Sequence, residues 1–289
     1  MTERISLAIA QMQPHLGDLE RNIALHEKLI QEAERGGARL VLFPELSLTG
    51  YFLKDLVPAV ALRVTDRRLD WLRAKSRDVA LVVGFVEESP DFRYYNAAMY
   101  LEGGEVRHVH RKVYLPTYGI FDEQRYFAQG DRIAAFDSAF GRMALLICED
   151  MWHPALPYLA VLDGAQVLLA VSNSPGRGLT ADGRFANAIG WHHLNRTYAQ
   201  LFTCAVAFAH RVGYEDGACF WGASEVLGPD GNPLAQAPAL EEALLFATID
   251  QDAIRRERLA NPLLRDERPE LTLRILKRIL GEAPGEEAP

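Results

Sequence analysis

The sequence predicts an α/β protein built on a mixed sheet, and three observations carry that expectation. Short, near-continuous apolar runs recur along the chain, stretches of helical period lie between several of them, and hairpin signals appear in the last third. Runs that are apolar at both alternating positions belong to strands covered on both faces. A turn such as GPDGN (228–232) lets neighbouring strands run antiparallel as well.

The elements follow in order. ISLAIAQM opens the chain as a strand. After Gly17, Asp18 can cap a helix in which Ile23, Leu29, Ile30 and Ala33 recur at helical spacing, and Gly36-Gly37 stops it. ARLVLFPE (38–45), VALVVGFV (79–86), YNAAMYLEG and EVRHVHRKV read as strands, as does RMALLICED (142–150). Beyond it, Trp152-His153-Pro154 starts a helix, since proline suits the first helical position. AQVLLAVSN (165–173) precedes a helix carrying His192-His193, and TCAVAFAHRV (203–212), ACFWGASEVLG and LLFATID (244–250) complete the strands. PELTLRILKRIL places apolar residues at 271, 273, 275, 276, 279 and 280, an amphipathic helix expected to dock on the body or on a partner subunit. No Pro/Ser-rich linker interrupts the chain before residue 281. Residues 1–280 therefore read as one domain and GEAPGEEAP, residues 281–289, as a flexible tail with nothing to bury.

Composition narrows the function. With 289 residues, 49% hydrophobic and 24% charged, the chain has material for a large core. A net charge of −8 and a pI of about 5.5, without any Lys/Arg block, argue against a nucleic-acid partner. No uncharged apolar run approaches the roughly 18 residues of a membrane helix, and the opening MTERISLAIAQMQP lacks the pattern of a signal peptide. The expected location is the cytoplasm, away from membranes. Three cysteines are too few and odd in number for a disulfide framework, so each reads as a thiol; Cys204 and Cys219 lie in apolar runs and read as small core residues.

Three strand ends share one feature: an apolar run terminates in a residue that is expensive to bury. ARLVLFPE ends in Glu45, EVRHVHRK in Lys112 and ALLIC in Cys148. Functional groups of open α/β sheets gather at the carboxyl ends of strands. A thiol is nucleophilic as thiolate, which an ammonium stabilises and whose proton a carboxylate can accept. Spacing alone leaves another reading open, with Cys148 an inert core residue and Glu45 and Lys112 a structural ion pair. His108 and His110 alternate along one strand, but neither they nor His192-His193 have a third ligand at metal spacing. Gly36-Gly37 and Gly103-Gly104 lie outside any phosphate-cradling pattern. Neither a metal nor another cofactor is expected.

Glu45 in LFPELSLTGY, Lys112 in HRKVYLPTYGIFDEQRYF and Cys148 in LLICEDMWHP resemble, in order and separation, the three motifs of the nitrilase superfamily, the carbon–nitrogen hydrolases. The likeness covers residues 5 to about 255. It implies a four-layer αββα sandwich, a Glu-Lys-Cys triad and hydrolysis of small non-peptide amides or, in one branch, nitriles. YLPTYGIFDEQRYF and ICEDMW are most similar to the glutaminase domain of glutamine-dependent NAD synthetases, although no SGGxDS-like pyrophosphate loop of a synthetase half is present. The resemblance further implies a second glutamate, Glu123, holding Lys112; a salt bridge of Glu123 with Arg125 or Arg111 is the alternative. It implies Tyr118 and Phe121 lining the pocket, and Glu149 and Ser174 meeting the polar end of a glutamine-like substrate, although SNSPGRGLTADGR departs from the pattern after Ser-Pro.

The function expected on this basis is a thiol amidase that converts a small amide to acid and ammonia through a cysteine thioester. The alternatives are a stand-alone glutaminase subunit feeding a separate synthetase partner, a nitrile hydrolase, or a non-catalytic binding or scaffold protein of the same fold. The family resemblance implies a homodimer or higher homo-oligomer. Which amide is the substrate is not written in the sequence.

Overall fold

The computed structural model describes residues 4–281. In chain order the strands and helices are β1 (Arg4–Gln11), α1 (Leu19–Arg35), β2 (Leu40–Leu42), α2 (Val57–Val60), α3 (Asp70–Lys75), β3 (Ala80–Glu88), β4 (Tyr94–Glu102), β5 (Glu105–Arg111), β6 (Ala135–Ser138), β7 (Gly141–Ile147), α4 (Ala155–Leu162), β8 (Val167–Ser172), α5 (Ala186–Leu201), β9 (Ala205–His210), β10 (Val212–Glu215), β11 (Ala218–Trp221), β12 (Glu225–Leu227), β13 (Pro233–Gln236), β14 (Ala243–Asp250), α6 (Gln251–Ala260) and α7 (Pro269–Ile279).

The strands form two mixed six-stranded sheets, β14-β1-β2-β3-β4-β5 and β13-β12-β9-β8-β7-β6, plus a β10-β11 ribbon. Read from β14, the first sheet pairs antiparallel, parallel, parallel, antiparallel, antiparallel. Read from β6, the second repeats that order.

The two-residue period of a strand explains the layering. Ile5, Leu7, Ile9, Leu40, Leu42, Ala80 and Val82 face the second sheet and share a core with its residues, such as Leu145 and Val206. The alternate positions Ala8, Ala10, Val41, Phe43, Leu81 and Val83 pack with Ile30 and Ala33 of α1 and with Leu72 of α3. On the other side, Leu156 and Ala160 of α4 and Trp191, Tyr198 and Ala199 of α5 lie against the second sheet. The layers are helix, sheet, sheet, helix, as the αββα expectation requires.

Helix α1 does more than cover a sheet. Asp18 caps it, accepting from the Arg21 N–H at 3.1 Å, but its buried stripe is Asn22, His26, Ile30 and Ala33, so two polar residues occupy the inner face. Asn22 Nδ2 donates to the Leu48 carbonyl at 2.9 Å, and His26 Nε2 meets Ser47 Oγ at 3.0 Å. Burial lowers the pKa of His26 to about 4, which keeps the ring neutral. These bonds hold the turn that follows Glu45. From the other side, Leu48 N–H donates to the Gly84 carbonyl at 3.0 Å.

Three details differ from the sequence reading. Cys219 is only partly buried, because β11 belongs to the small ribbon and not to a sandwich sheet. Pro154 precedes α4 as its N-cap, since Cys148–Trp152 first form a 3-10 turn. Helix α7 does not dock on the body: it buries no residue, and Leu273, Leu276 and Ile279 stay exposed. Residues 282–289, nearly all of the expected tail, lie outside the described residues. Among the described residues no helix is long and apolar enough to cross a membrane.

Gly84 shows how tightly the turn is held. A Cβ there would lie 2.4 Å from both the Pro44 carbonyl oxygen and the Leu46 nitrogen. Gly84→Ala is therefore expected to lower unfolding free energy by about 1–3 kcal/mol through overpacking, read by urea denaturation. Wild-type stability in that variant would contradict this packing.

Candidate active site

Glu45 and Lys112 come from the first sheet and Cys148 from the second, so the site lies where the two sheets end side by side. Lys112 follows the last residue of β5, and Cys148 follows the last residue of β7. Glu45 sits three residues beyond β2, in the turn pinned by α1 and Gly84. Both turns are conformationally strained: Leu46 and Cys148 each have φ of 46°, the left-handed region that side chains seldom adopt and that costs of order 1–3 kcal/mol per residue.

All four side chains of the expected centre are buried. Glu45 Oε1 accepts from Lys112 Nζ at 2.8 Å and from Asn96 Nδ2 at 2.7 Å, while its Oε2 accepts from the Asn173 N–H at 2.7 Å. Lys112 Nζ also donates to Glu123 Oε1 at 2.7 Å, and the Tyr51 hydroxyl donates to that same oxygen at 2.5 Å. Arg125 and Arg111 pair with Asp122 and Glu87, so Glu123 belongs to Lys112 and not to a surface salt bridge. The Ser172 hydroxyl donates to Cys148 Sγ at 3.3 Å.

The protonation states follow from burial and neighbours. Burial pushes the Cys148 thiol well above its ordinary range and the Glu45 carboxylate adds to this, with Lys112 and the Ser172 hydroxyl pulling the other way. The sulfur therefore keeps its proton at rest and needs a base when it reacts. Burial works against the Lys112 ammonium, but the carboxylates of Glu123 and Glu45 outweigh it and hold the pKa well above the usual lysine range. Burial pushes Glu123 up to about 7, with Lys112 lowering it and Glu45 raising it.

Asp150 locks the Cys148 turn to the lysine strand. Its Oδ2 accepts from the Ile147 N–H at 3.1 Å and meets His110 Nε2 at 2.8 Å; its Oδ1 accepts from the N–H groups of Val113 and Tyr114, each at 3.0 Å. One buried carboxylate thus fixes the residue before Cys148 and the two after Lys112. His110, which the sequence offered without a third ligand at metal spacing, is a core histidine with this one task.

The other expected residues form an outer ring. Tyr118 OH donates to Glu149 at 2.9 Å, and Phe121 lies edge to face against both Tyr118 and Tyr51, at 5.3 and 6.3 Å between centroids. Arg177 caps this ring, with its guanidinium 5.3 and 5.4 Å from the Tyr118 and Phe121 ring centres. Ser174 is buried, and its hydroxyl already accepts from Asn187 Nδ2 at 3.2 Å. Its N–H points to His210 Nε2 at 3.1 Å. The His210 Nδ1 sits 2.6 Å from the Arg211 carbonyl and must carry the proton there, which assigns the tautomer. A cavity of about 120 Å³ lined by Tyr51, Glu123, Tyr126 and Phe127 reaches the centre from the Glu123 side, and Cys148 is not among its walls.

The sequence reading missed Tyr51, Asn96, Asp150, Ser172 and Asn173. Asp150 and Tyr51 were visible in ICEDMW and LSLTGY, but nothing in spacing reveals which polar residue a fold will bury against a distant partner. Among the described residues no group of three or more His, Cys, Asp or Glu side chains is arranged to hold a metal ion.

Comparison with known proteins places this geometry. The sequence profile described as "Carbon-nitrogen hydrolase" matches residues 6–258. A glutamine-dependent NAD(+) synthetase of Thermotoga maritima is 30% identical over 269 residues, covering 90% of this chain but only 44% of that protein, so the chain spans about half the length of this relative. An N-carbamoylputrescine amidase of Arabidopsis thaliana is 28% identical over 274 residues, covering 88% of this chain and 89% of that protein. Among solved structures, a mutant amidase from Nesterenkonia sp. AN1, which carries the acetamide moiety of fluoroacetamide covalently on its active site cysteine, superposes with a TM-score of 0.78 at 26% identity over 93% of this chain and 95% of that one. The chain belongs to the carbon–nitrogen hydrolase family and is a hydrolase of carbon–nitrogen bonds.

Proposed function

We propose that the protein is a thiol amidase: Cys148 attacks the carbonyl of a small non-peptide amide, and acid and ammonia leave in turn. The observation that carries this reading is the buried Lys112 ammonium shared between Glu45 and Glu123, both sharing the ends of the sheets with the nucleophile turn. A structural ion pair would need one carboxylate, not two plus an unionised thiol.

Glu45 takes the thiol proton as sulfur bonds to the carbonyl carbon, because a neutral buried thiol is not itself a nucleophile. The carbonyl becomes a tetrahedral oxyanion. Lys112 and the Glu149 N–H stabilise it, each such preorganised donor contributing about 3–4 kcal/mol. Glu45 returns the proton to the nitrogen, the carbon–nitrogen bond breaks and ammonia departs, leaving a thioester. Water, giving its proton to Glu45, attacks the thioester; the carbon–sulfur bond breaks and the sulfur recovers the proton. Glu123 and Tyr51 hold Lys112 in register throughout. Tyr118, Phe121, Glu149 and Ser174 shape the acyl end of the pocket.

A second reading is favoured by the 30% identity to the Thermotoga relative, a glutamine-dependent NAD(+) synthetase. On that reading the protein is a glutaminase subunit supplying ammonia to a separate synthetase. The near full-length match to N-carbamoylputrescine amidase favours the self-sufficient amidase instead, working in the cytoplasm as a homo-oligomer.

An ammonia-release screen over glutamine, asparagine, ω-amides, N-carbamoyl compounds, aliphatic amides and nitriles tests the reading. At least one amide is expected to turn over, and Cys148→Ala to abolish it; retained turnover in that variant refutes the mechanism. Stimulation of weak glutaminase activity by an added synthetase would favour the subunit reading. Glu123 gives a separate test. Burial holds its pKa in the native protein at about 7, above the ordinary glutamate value of 4.5, so the native state binds more protons between those values. Its stabilising contribution is full below about pH 4.5 and is lost as pH rises through 7. Chemical denaturation across that window is expected to show falling stability, and Glu123→Gln to flatten the fall; an unchanged slope in the variant would refute the assignment.

A further inference from the structure

We propose that the buried Arg211–Glu215 pair is a positioning pair for the reaction centre: Glu215 fixes the Tyr51–Phe52 turn, and through the Tyr51 hydroxyl that turn fixes Glu123 against Lys112. The proposal rests on the thiol-hydrolase reading above and deepens it.

Arg211 lies between β9 and β10 and is fully buried. Its guanidinium stacks 4.1 Å from the Phe220 ring centre, and Nη1 donates to Glu215 Oε2 at 2.6 Å; Nε and Nη2 find no partner among the described residues. A buried pair of this kind adds little net stability over an apolar replacement. What it supplies is a charged acceptor at a fixed place. Glu215 Oε1 uses that charge on two adjacent backbone donors, Tyr51 N–H at 2.8 Å and Phe52 N–H at 2.7 Å. Charge-assisted bonds are roughly twice as strong as neutral ones, so this turn is held more firmly than a neutral side chain would hold it. The exposed Lys54–Asp216 contact at 2.7 Å spans the same junction but, facing water, contributes little.

From the turn the path is short. Tyr51 reaches Glu123 Oε1 at 2.5 Å, and Lys112 meets that same oxygen at 2.7 Å, while Glu123 Oε2 has no partner among the described residues. Two donors converging on one oxygen fix the carboxylate's rotation. If Tyr51 shifts, Glu123 is free to turn its other oxygen to Lys112, and the lysine loses its shared position between Glu123 and Glu45. The charged and titratable groups facing Glu123 are Lys112 from the end of β5, Glu45 from the turn after β2, Cys148 from the end of β7, and Tyr51 itself.

The test compares Glu215→Gln, Tyr51→Phe and the double variant. The readouts are the pH profile of Cys148 alkylation by iodoacetamide, kcat and KM for the best amide found in the screen, and Tm as a control for folding. Removing the Tyr51 hydrogen bond disfavours the charged form of Glu123, so the profile limb of that group is expected to move to higher pH. Glu215→Gln is expected to move the same limb in the same direction and to lower kcat about tenfold with KM changed less than about threefold, as for a group acting on the reacting side chains and not on substrate binding. The double variant should be no worse than Tyr51→Phe, since both act through one link. A Glu215→Gln protein with lowered Tm but wild-type profile and kcat, or additive losses in the double variant, overturns the proposal. Should Glu215→Gln fail to fold, Arg211→Lys, which keeps the charge without the planar stacking fork, is read in its place with the same expectations. If the wild type turns over no amide, the amidase reading fails, while the alkylation profile still decides whether Glu215 acts on the centre.

Discussion

An ammonium held out of water governs this structure. Left alone, a buried lysine would lose its proton, because stripping water from one charge costs several kcal/mol even after relaxation. Here Lys112 keeps it by lying between two carboxylates, and each carboxylate in turn needs its own donors: Asn96 and the Asn173 N–H for Glu45, Tyr51 for Glu123. Every one of those donors comes from a different segment. The fold therefore has to bring the turn after β2, the start of β4, the end of β5, the end of β8 and the 116–127 loop to one point. Two carboxylates against one ammonium leave an excess of negative charge, which burial relieves by raising Glu123 toward neutrality. Burial, with the Glu45 carboxylate adding to it, likewise favours the protonated form of the nearby thiol.

The two sheets share one order of parallel and antiparallel pairings, and the centre is made just past the carboxyl ends of β2, β5 and β7. That arrangement places Glu45 and Lys112 in one layer and Cys148 in the other. Relative motion of the layers would separate Cys148 from Glu45 and Lys112, and Asp150 opposes it. Its two oxygens join the backbone before Cys148 to the backbone after Lys112, so the layers are tied at the site itself as well as through their shared core.

Much of this was legible in the sequence, for a physical reason. Apolar runs reveal strands, and a charged or reactive residue closing such a run stands out because burying it is costly. Glu45, Lys112 and Cys148 were singled out that way, and the family resemblance then added Glu123 beside Lys112. The supporting residues were silent. Tyr51, Asn96 and Asn173 are polar residues in ordinary contexts until the fold brings their partners close, and the inner face of α1 reads as less amphipathic than it is because Asn22 and His26 are buried there to hold a turn. Helix α7 shows the limit of such a stripe: it argued for docking on the body or on a partner subunit, and the helix buries no residue against the body, because a stripe says only that a surface wants covering and not by what.

The closing strand β14 pairs along its whole length with β1, and the Gln11 side chain donates to the carbonyls of Pro238 and Glu241, both at 2.7 Å. Contacts between the first dozen residues and the last fifty are thus built into the sheet that carries Glu45. Such long-range closure makes for slow folding. During synthesis on the ribosome, that sheet stays open at one edge until residues 243–250 have emerged, so Glu45, Lys112 and Cys148 cannot settle into their final alignment while β14 is still inside the tunnel.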